Sequence, residues 1–283
     1  MFTAGQAHCF GPPDIFVAAL PPGAPLSPSG WTVAREASGE LLPLAGRGFS
    51  GEWDAAGGRH CPSYVRGYDA RSGRWVERLY YAGAAENIGG PYSIGYLEWE
   101  GERWLDQPTC AFRAEEPWER GSVYEPNVIY HDGLWKLWYV AGSNRDKYLV
   151  HGYAESADGI TNWRRRIFAE PEIKMFDFCV RPRGKYFAAV FTRIGLGSDP
   201  PAEAGLWWCT SALPSGRLDD WSKPVHIMDA SDRGWHVGPF KPSLAFDPSS
   251  SEGLVFFAGN YNTGQPGPFP FVFTTGAIEL TFP

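Results

Sequence analysis

Two acidic residues begin strand-like segments at equivalent places in a repeated pattern: Glu125 in Glu-Pro-Asn-Val-Ile-Tyr and Asp177 in Asp-Phe-Cys-Val. Two carboxylates that lie close together cannot both ionise easily, so one has a raised pKa and can act as an acid near neutral pH. Glycoside hydrolysis needs such a pair, and its separation sets the stereochemical outcome. We therefore predict that Glu125 and Asp177 are catalytic. The alternative is a structural network in which Lys241, Arg181 and Arg59 neutralise them.

Eight further residues at or near the starts of these segments are predicted to contact a substrate. Lys241 begins a strand and could neutralise a carboxylate, bind an anionic group or donate to a sugar hydroxyl. His60 and His236 titrate near neutrality, so each could serve as an acid, a base or a polar contact. Trp235 and Tyr124 offer aromatic faces that can stack on sugar rings.

Asp54, Arg59 and Asp14 complete the predicted set of substrate contacts. Asp54 and Arg59 belong to the loop-like segment Trp-Asp-Ala-Ala-Gly-Gly-Arg at 53–59, which precedes a strand. For Asp54 the alternative is that it merely caps a turn. For Asp14, strand alternation could turn the side chain away from the site.

The histidines and cysteines show no local metal-binding pattern. No HxH or HxxxH spacing and no CxxC pair occurs, so we expect no metal site and no cofactor. The odd number of cysteines, five in all, favours buried free thiols in a reducing compartment. The remaining histidines of interest are interpreted as surface residues of turns or strands: His131, His151 and His226.

The charge balance excludes several partners. Among 283 residues, 25 are Lys or Arg and 32 are Asp or Glu, which gives a formal net charge of −7. Nucleic acids and anionic membranes both favour a basic face, so neither is expected as a partner. The first residues form neither a basic segment nor an apolar one, so we expect a cytoplasmic protein that binds a small molecule or a sugar.

The elements that must position these residues are short strands. The chain has 13 Trp, 13 Tyr and 18 Phe, together with 34 Gly and 25 Pro. Aromatic residues favour strands, and Gly and Pro favour the turns between them. A repeated unit of several strands aligns five first-strand residues, which we call the column residues: Pro12, Cys61, Glu125, Asp177 and Lys241.

The column residues follow one another at intervals of 49, 64, 52 and 64 residues. A period near fifty with three or four antiparallel strands per unit is typical of a β-propeller blade. We therefore predict an all-β fold, a five-bladed β-propeller of antiparallel four-stranded blades, formed by residues 1–283 as a single domain. The approximate blades are 1–50, 51–110, 111–168, 169–228 and 229–283. The alternative is a β-sandwich or two stacked β-domains.

Several of these motifs resemble known proteins. Tyr-Glu-Pro-Asn-Val-Ile at 124–129, followed by Leu-Trp-Lys-Leu-Trp-Tyr at 134–139, resembles the first two strands of a blade in five-bladed propeller glycosidases. The segment 153–160 with Trp163 is similar to the YAxSxDGxxW strand ending of those proteins, and Gly-Glu-Trp-Asp at 51–54 is similar to a blade lead-in. The superfamily holds glycoside hydrolase families 32, 43, 62, 68 and 130.

The resemblance implies three acidic residues on the innermost strands of different blades: a base or nucleophile, an acid, and a residue that orients them. Glu125 and Asp177 match this pattern, whereas Pro12, Cys61 and Lys241 depart from it. We therefore expect a glycoside hydrolase-like enzyme that uses carboxylate acid/base chemistry on a small glycoside. The alternatives are a biosynthetic enzyme that performs a cyclisation or elimination, and a non-catalytic sugar-binding propeller.

Overall fold

The described residues of the protein are almost entirely β-strands and connecting loops. A computed structural model describes residues 1–5, 13–46, 53–55, 57–86, 90–143, 148–193, 204–229, 237–246, 252–262 and 271–281. The helices found there are single 3-10 turns: Pro28–Gly30, Pro117–Glu119, Pro171–Ile173 and Leu218–Asp220. None of the helices among these residues has the length and apolarity that a membrane crossing requires. The prediction of an all-β fold is confirmed.

The described strands form five sheets. The first two sheets contain β1 (Phe2–Gly5), β2 (Asp14–Ala19) and β3 (Thr32–Val33), then β4 (Arg59–Asp69), β5 (Arg74–Ala84), β6 (Tyr92–Trp99) and β7 (Trp104–Asp106). The third contains β8 (Val123–His131), β9 (Leu134–Ser143), β10 (Tyr148–Ser156) and β11 (Arg164–Ala169). The last two contain β12 (Met175–Arg183), β13 (Tyr186–Arg193), β14 (Gly205–Ser211) and β15 (Val225–Asp229), then β16 (Val237–Phe246), β17 (Glu252–Asn262) and β18 (Phe271–Thr281).

Each sheet is a meander in which every strand pairs with the next one along the chain. Pairing of this kind needs only short connections, which the many Gly and Pro residues supply. The five antiparallel sheets are the blades of a five-bladed β-propeller, so the predicted fold class is confirmed. Within the described residues, three blades have four strands, and the first and last have three.

Contacts divide the chain into two compact units. The first unit contains Met1–Trp135 and Ser156–Trp163, and the second contains Lys136–Glu155 and Arg164–Pro283. In the first unit β4 packs against β8, and in the second β12 packs against β16. Within each unit, the first strands of successive blades are therefore neighbours. The prediction that residues 1–283 form one domain stays a prediction.

In the first unit, the turn after β10 closes over buried aromatic residues. The backbone of Gly159 has φ +73°, and a Cβ there would lie 2.5 Å from the Tyr80 hydroxyl oxygen and 2.6 Å from the Trp135 ring. The Tyr80 hydroxyl donates a hydrogen bond of 2.8 Å to the Gly159 carbonyl. Glycine is required because the turn combines a left-handed backbone with this close approach. The segment Ser-Ala-Asp-Gly thus has a packing role.

In the second unit, His151 is part of the core. Its side chain is 1% exposed and packs edge-on against Phe168 and Phe178. Burial lowers the pKa of His151 to about 3, so the ring is neutral in the folded protein. The interpretation of His151 as a surface residue is wrong, because its strand, β10, is buried on both faces and side-chain alternation does not expose it.

The first unit also buries a charged side chain, Arg78, on the central part of β5. Its guanidinium contacts Asp69 at 2.8 Å and Glu98 at 2.9 Å and donates to the Asp158 carbonyl. The Arg78 side chain is 1% exposed. Glu98 also pairs at 2.6 Å with Arg74, whose side chain is 56% exposed. The Glu98 carboxylate therefore pairs with one buried arginine and one exposed arginine.

This pair of arginines predicts very different costs for the same substitution. Arg78→Met removes the cationic partner of the buried Asp69 carboxylate and leaves Glu98 only the exposed Arg74, so it should lower the free energy of unfolding by about 3–5 kcal/mol. Arg74→Met removes a solvent-screened ion pair and should cost about 1 kcal/mol or less. Urea denaturation of both variants measures the difference. Equal and small effects would contradict the structural importance of the buried guanidinium.

Candidate functional site

Three of the column residues share an unusual backbone conformation. Cys61, Glu125 and Lys241 have φ values of +57°, +53° and +53°, and each is followed by proline. A residue before proline normally adopts an extended conformation, and positive φ is uncommon for any residue other than glycine. Such conformations cost on the order of 1–3 kcal/mol and concentrate at functional sites. Their recurrence at one position in three blades supports the alignment derived from the sequence.

At Cys61, the left-handed backbone interrupts the regular pairing of β4 with β5. The β4–β5 register shifts between His60 and Ser63, on either side of Cys61. In a regular strand adjacent side chains point to opposite faces. Here the Nδ1 atom of His60 and the Sγ atom of Cys61 are 2.8 Å apart. The bulge therefore brings two adjacent side chains together.

In the first unit, Glu125 lies beside this pair. One ligand-type atom from each of His60, Cys61 and Glu125 lies within 4.8 Å of the other two, and all three residues are half-buried. The His60 ring meets Tyr92 edge-on, with ring centroids 4.8 Å apart, and Tyr92 packs on Tyr124 at 5.3 Å. Imidazole, thiol and carboxyl groups thus converge beside an aromatic wall. Groups of this kind can transfer protons, attack an electrophile or bind a metal ion.

In the second unit, Asp177 is hydrogen-bonded to Lys241, the column residue of the following blade. Its Oδ2 atom accepts a hydrogen bond of 2.7 Å from the Lys241 backbone N–H and one of 2.8 Å from the Thr192 hydroxyl. The Asp177 side chain is buried, and Lys241 is half-buried. The carboxylate therefore fixes the backbone of the left-handed residue as well as its own orientation. Asp177 is followed by Phe178 rather than proline, so it departs from the pattern of the other three column residues.

A third group, the Arg59 cluster, lies at the start of β4 in the first unit. It consists of Arg59, Asp14, Asp54, Asp106 and Tyr81. The Arg59 guanidinium contacts Asp14 at 3.2 Å and also pairs with Asp106, while its Nε atom lies 3.8 Å from Asp54. The Tyr81 hydroxyl lies 2.9 Å from Asp54 and 3.0 Å from Asp106. Three carboxyl groups therefore surround one cation inside the protein.

Burial controls protonation in the Arg59 cluster. Desolvation raises the pKa of Asp14 and of Asp54 above its usual range, although Arg59 opposes the shift at both. Desolvation, followed by the charges of Asp106 and Asp54, raises the pKa of Tyr81 well above its usual value. Tyr81 has one hydroxyl proton but contacts two carboxyl groups, those of Asp54 and Asp106. A protonated Asp54 can donate to the Tyr81 oxygen while the Tyr81 hydroxyl donates to Asp106, so both contacts can then be hydrogen bonds.

The structure thus distributes the predicted site residues over three groups. Glu125 and His60 converge with Cys61, Asp177 binds the backbone of Lys241, and Asp54, Arg59 and Asp14 share a buried cluster. Tyr124 is 4% exposed and belongs to the aromatic wall beside His60. His236 and Trp235 lie outside the described residues. Direct substrate contact stays a prediction for every one of these residues.

Sequence reasoning missed four residues that complete these groups: Cys61, Asp106, Tyr81 and Thr192. The sequence aligns Cys61 as a column residue but favours a buried free thiol there, whereas the side chain is half-buried beside His60. Asp106 ends a three-residue strand, and Tyr81 lies in the run Leu-Tyr-Tyr-Ala at 79–82 that is otherwise typical of a core strand. No local pattern distinguishes them, because their partners are distant in the sequence. For Thr192, the strand order did offer a signal: the first two strands of a blade are neighbours, so β13 can supply a partner to Asp177 on β12.

Comparison with known proteins shows similarity in fold. No protein-family model matches the chain, and no curated protein sequence matches it. A thermostable family-43 glycoside hydrolase is similar over 95% of this chain and 83% of its own, with 14% identity and a TM-score of 0.62. The family 117 glycoside hydrolase Zg3597 from the marine bacterium Zobellia galactanivorans is similar over 94% and 69%, with 13% identity and a TM-score of 0.57.

An endo-arabinase from Bacteroides thetaiotaomicron VPI-5482 also has this fold. It is similar over 83% of this chain and 77% of its own, with 12% identity and a TM-score of 0.55. Identities this low establish the shared fold and nothing finer. At that level, the resemblance to the propeller glycosidases noted in the sequence is confirmed.

The raised pKa of Asp54 predicts a specific pH dependence of stability. In the unfolded chain an aspartate titrates near pH ~4, whereas folded Asp54 titrates higher. Between these two values the native state binds more protons, so the free energy of unfolding falls as the pH rises, by at most about 1.4 kcal/mol per pH unit. Asp54→Asn removes the titrating carboxyl group, so the variant should lack this contribution to the decrease in the free energy of unfolding.

Chemical denaturation across the acidic range measures the effect in wild type and variant. Asp132→Asn is the control, because the Asp132 side chain is 78% exposed. The control should keep the wild-type slope. A slope unchanged by Asp54→Asn would contradict a protonated Asp54 in the folded cluster.

Proposed function

We propose that this protein is a carbohydrate-active enzyme, similar to glycoside hydrolases, that acts on a small glycoside by carboxylate acid/base chemistry. The observation that carries the proposal is the placement of Glu125: a half-buried carboxyl group on a left-handed residue, at a position that recurs from blade to blade. The glycoside hydrolase names of the structurally similar proteins support the same class of chemistry. Because identity is low, this support concerns the reaction class alone.

Glu125 is proposed as the group that transfers a proton to or from the glycosidic oxygen. It is the more accessible of the two predicted catalytic carboxyls, and a proton-transfer group must reach its substrate. Asp177 is buried and accepts two hydrogen bonds through one oxygen, which suits a residue that fixes the backbone of Lys241. We propose that each residue is required for turnover.

The remaining predicted residues divide by burial. Lys241 and His60 are half-buried and are proposed to bind substrate hydroxyl groups, together with His236 and Trp235. Tyr124 contributes to the wall beside His60. The Arg59 cluster is almost fully buried, and Arg59 itself directly precedes His60 in β4. We propose that Asp54, Arg59 and Asp14 position the start of this strand, so that their effect on substrate binding is indirect.

A non-hydrolytic biosynthetic enzyme is the second candidate, and the identity of the column residues favours it. Where the propeller glycosidase pattern would place a further acid, this chain has Cys61 and Lys241. In the first unit the Cys61 thiol lies beside the Glu125 carboxyl group, and such a pair can catalyse acid/base chemistry such as cyclisation or elimination without adding water. A sugar-binding module without turnover is distinguished from both by experiment.

The test is activity on a panel of disaccharides that contain pentoses or hexoses, because a sugar leaving group needs the proton that Glu125 is proposed to supply. Glu125→Gln should lower kcat by about 10²–10⁴-fold, because it removes a positioned proton donor while keeping the shape of the side chain. Asp177→Asn should also lower kcat. Glu77→Gln is the matched control, since Glu77 is also half-buried but lies on β5 and accepts a hydrogen bond from Tyr64.

The possible outcomes separate the three functions. Release of free sugar that Glu125→Gln abolishes and Glu77→Gln preserves supports glycoside hydrolysis. Sugar binding by calorimetry without turnover, unaffected by either catalytic substitution, supports a binding module. Neither binding nor turnover across the panel would contradict the proposed hydrolytic function and leave the biosynthetic enzyme as the better account.

A further inference from the structure

The cluster of His60, Cys61 and Glu125 combines three different metal-binding side chains. Imidazole nitrogen, thiolate sulfur and carboxylate oxygen are the donor types that bind zinc in proteins. His60 and Cys61 are supplied by β4 and Glu125 by β8, and these two strands pack together in the first unit. All three residues are half-buried, so an ion can enter while much of the surrounding water is excluded.

The spacing of the donor atoms suits a tetrahedral ion. Zinc lies about 2.3 Å from sulfur and about 2.0–2.2 Å from nitrogen or oxygen, so its ligand atoms lie roughly 3.3–3.6 Å from one another. In the protein the three donor atoms lie within 4.8 Å of one another, and the His60–Cys61 pair is at 2.8 Å. Tetrahedral ligation would shorten the larger separations by at most about 1.5 Å and lengthen the His60–Cys61 separation by about 0.5 Å.

The backbone explains why adjacent residues can act as ligands of one ion. Neighbouring residues of a strand ordinarily point to opposite faces, so a His-Cys dipeptide cannot bind one ion from a regular strand. The left-handed conformation of Cys61 and the register shift beside it remove this obstacle. Glu125 has the same conformation in the next blade. Local spacing could not predict this site, because one ligand comes from a different blade.

From this geometry we propose that His60, Cys61 and Glu125 bind a thiophilic divalent metal ion of the zinc class. Three protein ligands leave one tetrahedral position for water or a substrate oxygen, as in zinc sites that do chemistry. This inference does not depend on the proposed function. Metal binding would engage the Glu125 carboxylate, so zinc should inhibit any turnover in which Glu125 must exchange a proton freely.

The test uses the full chain, stripped with a chelator and titrated with Zn²⁺ or Co²⁺ alone. Wild-type protein should bind one equivalent, and cobalt should produce thiolate-to-metal charge-transfer absorption in the near ultraviolet. Cys61→Ser should abolish that absorption. Glu125→Gln and His60→Gln should each weaken zinc binding about 100-fold or more, since loss even of groups that only orient a ligand costs 10–100-fold. The control Cys110→Ser should bind like wild type.

A second measurement does not require any variant to fold. Zinc should protect Cys61 of the wild-type protein from iodoacetamide, measured by peptide mass spectrometry, while Cys110 reacts at an unchanged rate. The proposal is overturned if the wild-type protein binds no stoichiometric metal, or if Cys61→Ser leaves affinity and absorption unchanged. It is also overturned if Cys61 is alkylated equally with and without zinc, a result that would make the pair a metal-free thiol–imidazole group.

Discussion

The left-handed residue before proline is the constraint on which the functional geometry depends. It occurs at Cys61, Glu125 and Lys241, each on the first strand of its blade. A strand that stayed extended would keep its side chains alternating, and His60 and Cys61 could not meet. The backbone energy of these positions is unfavourable, so the surrounding structure must maintain them. Hydrogen bonds supply part of this support, since the Lys241 N–H donates to Asp177.

Buried charges provide the rest of the framework in the first unit. The Arg59 cluster fixes the start of β4, one residue before His60, and Arg78 joins β4, β5 and β6 through Asp69 and Glu98. Buried ion pairs contribute little net stability but penalise alternative arrangements, because each would leave a charge without its partner. The same blade therefore has buried ion pairs in its interior and, at one end of its first strand, a group of side chains suited to chemistry.

Much of the fold could be predicted from the sequence, because it follows from local signals. The period of the column residues and the Gly-rich turns identify five blades, and the same period marks Glu125 and Asp177 as candidates for the site. The partners of these residues could not be predicted. The pairing of Asp177 with the Lys241 backbone, and of Arg59 with Asp106, joins residues 64 and 47 positions apart. The prediction for His151 is wrong because alternation does not expose a residue whose strand is buried on both faces.

The most direct test of this account compares Gly and Ala at one left-handed position. At Lys241, Gly should be more stable than Ala by about 1 kcal/mol in urea denaturation, because only Ala suffers the steric cost of positive φ. At Arg66, an exposed residue within β4, the order should reverse by about 0.5–1 kcal/mol, since Gly weakens a regular strand. Greater stability of Ala at Lys241, as at Arg66, would contradict the left-handed backbone and the site geometry built on it.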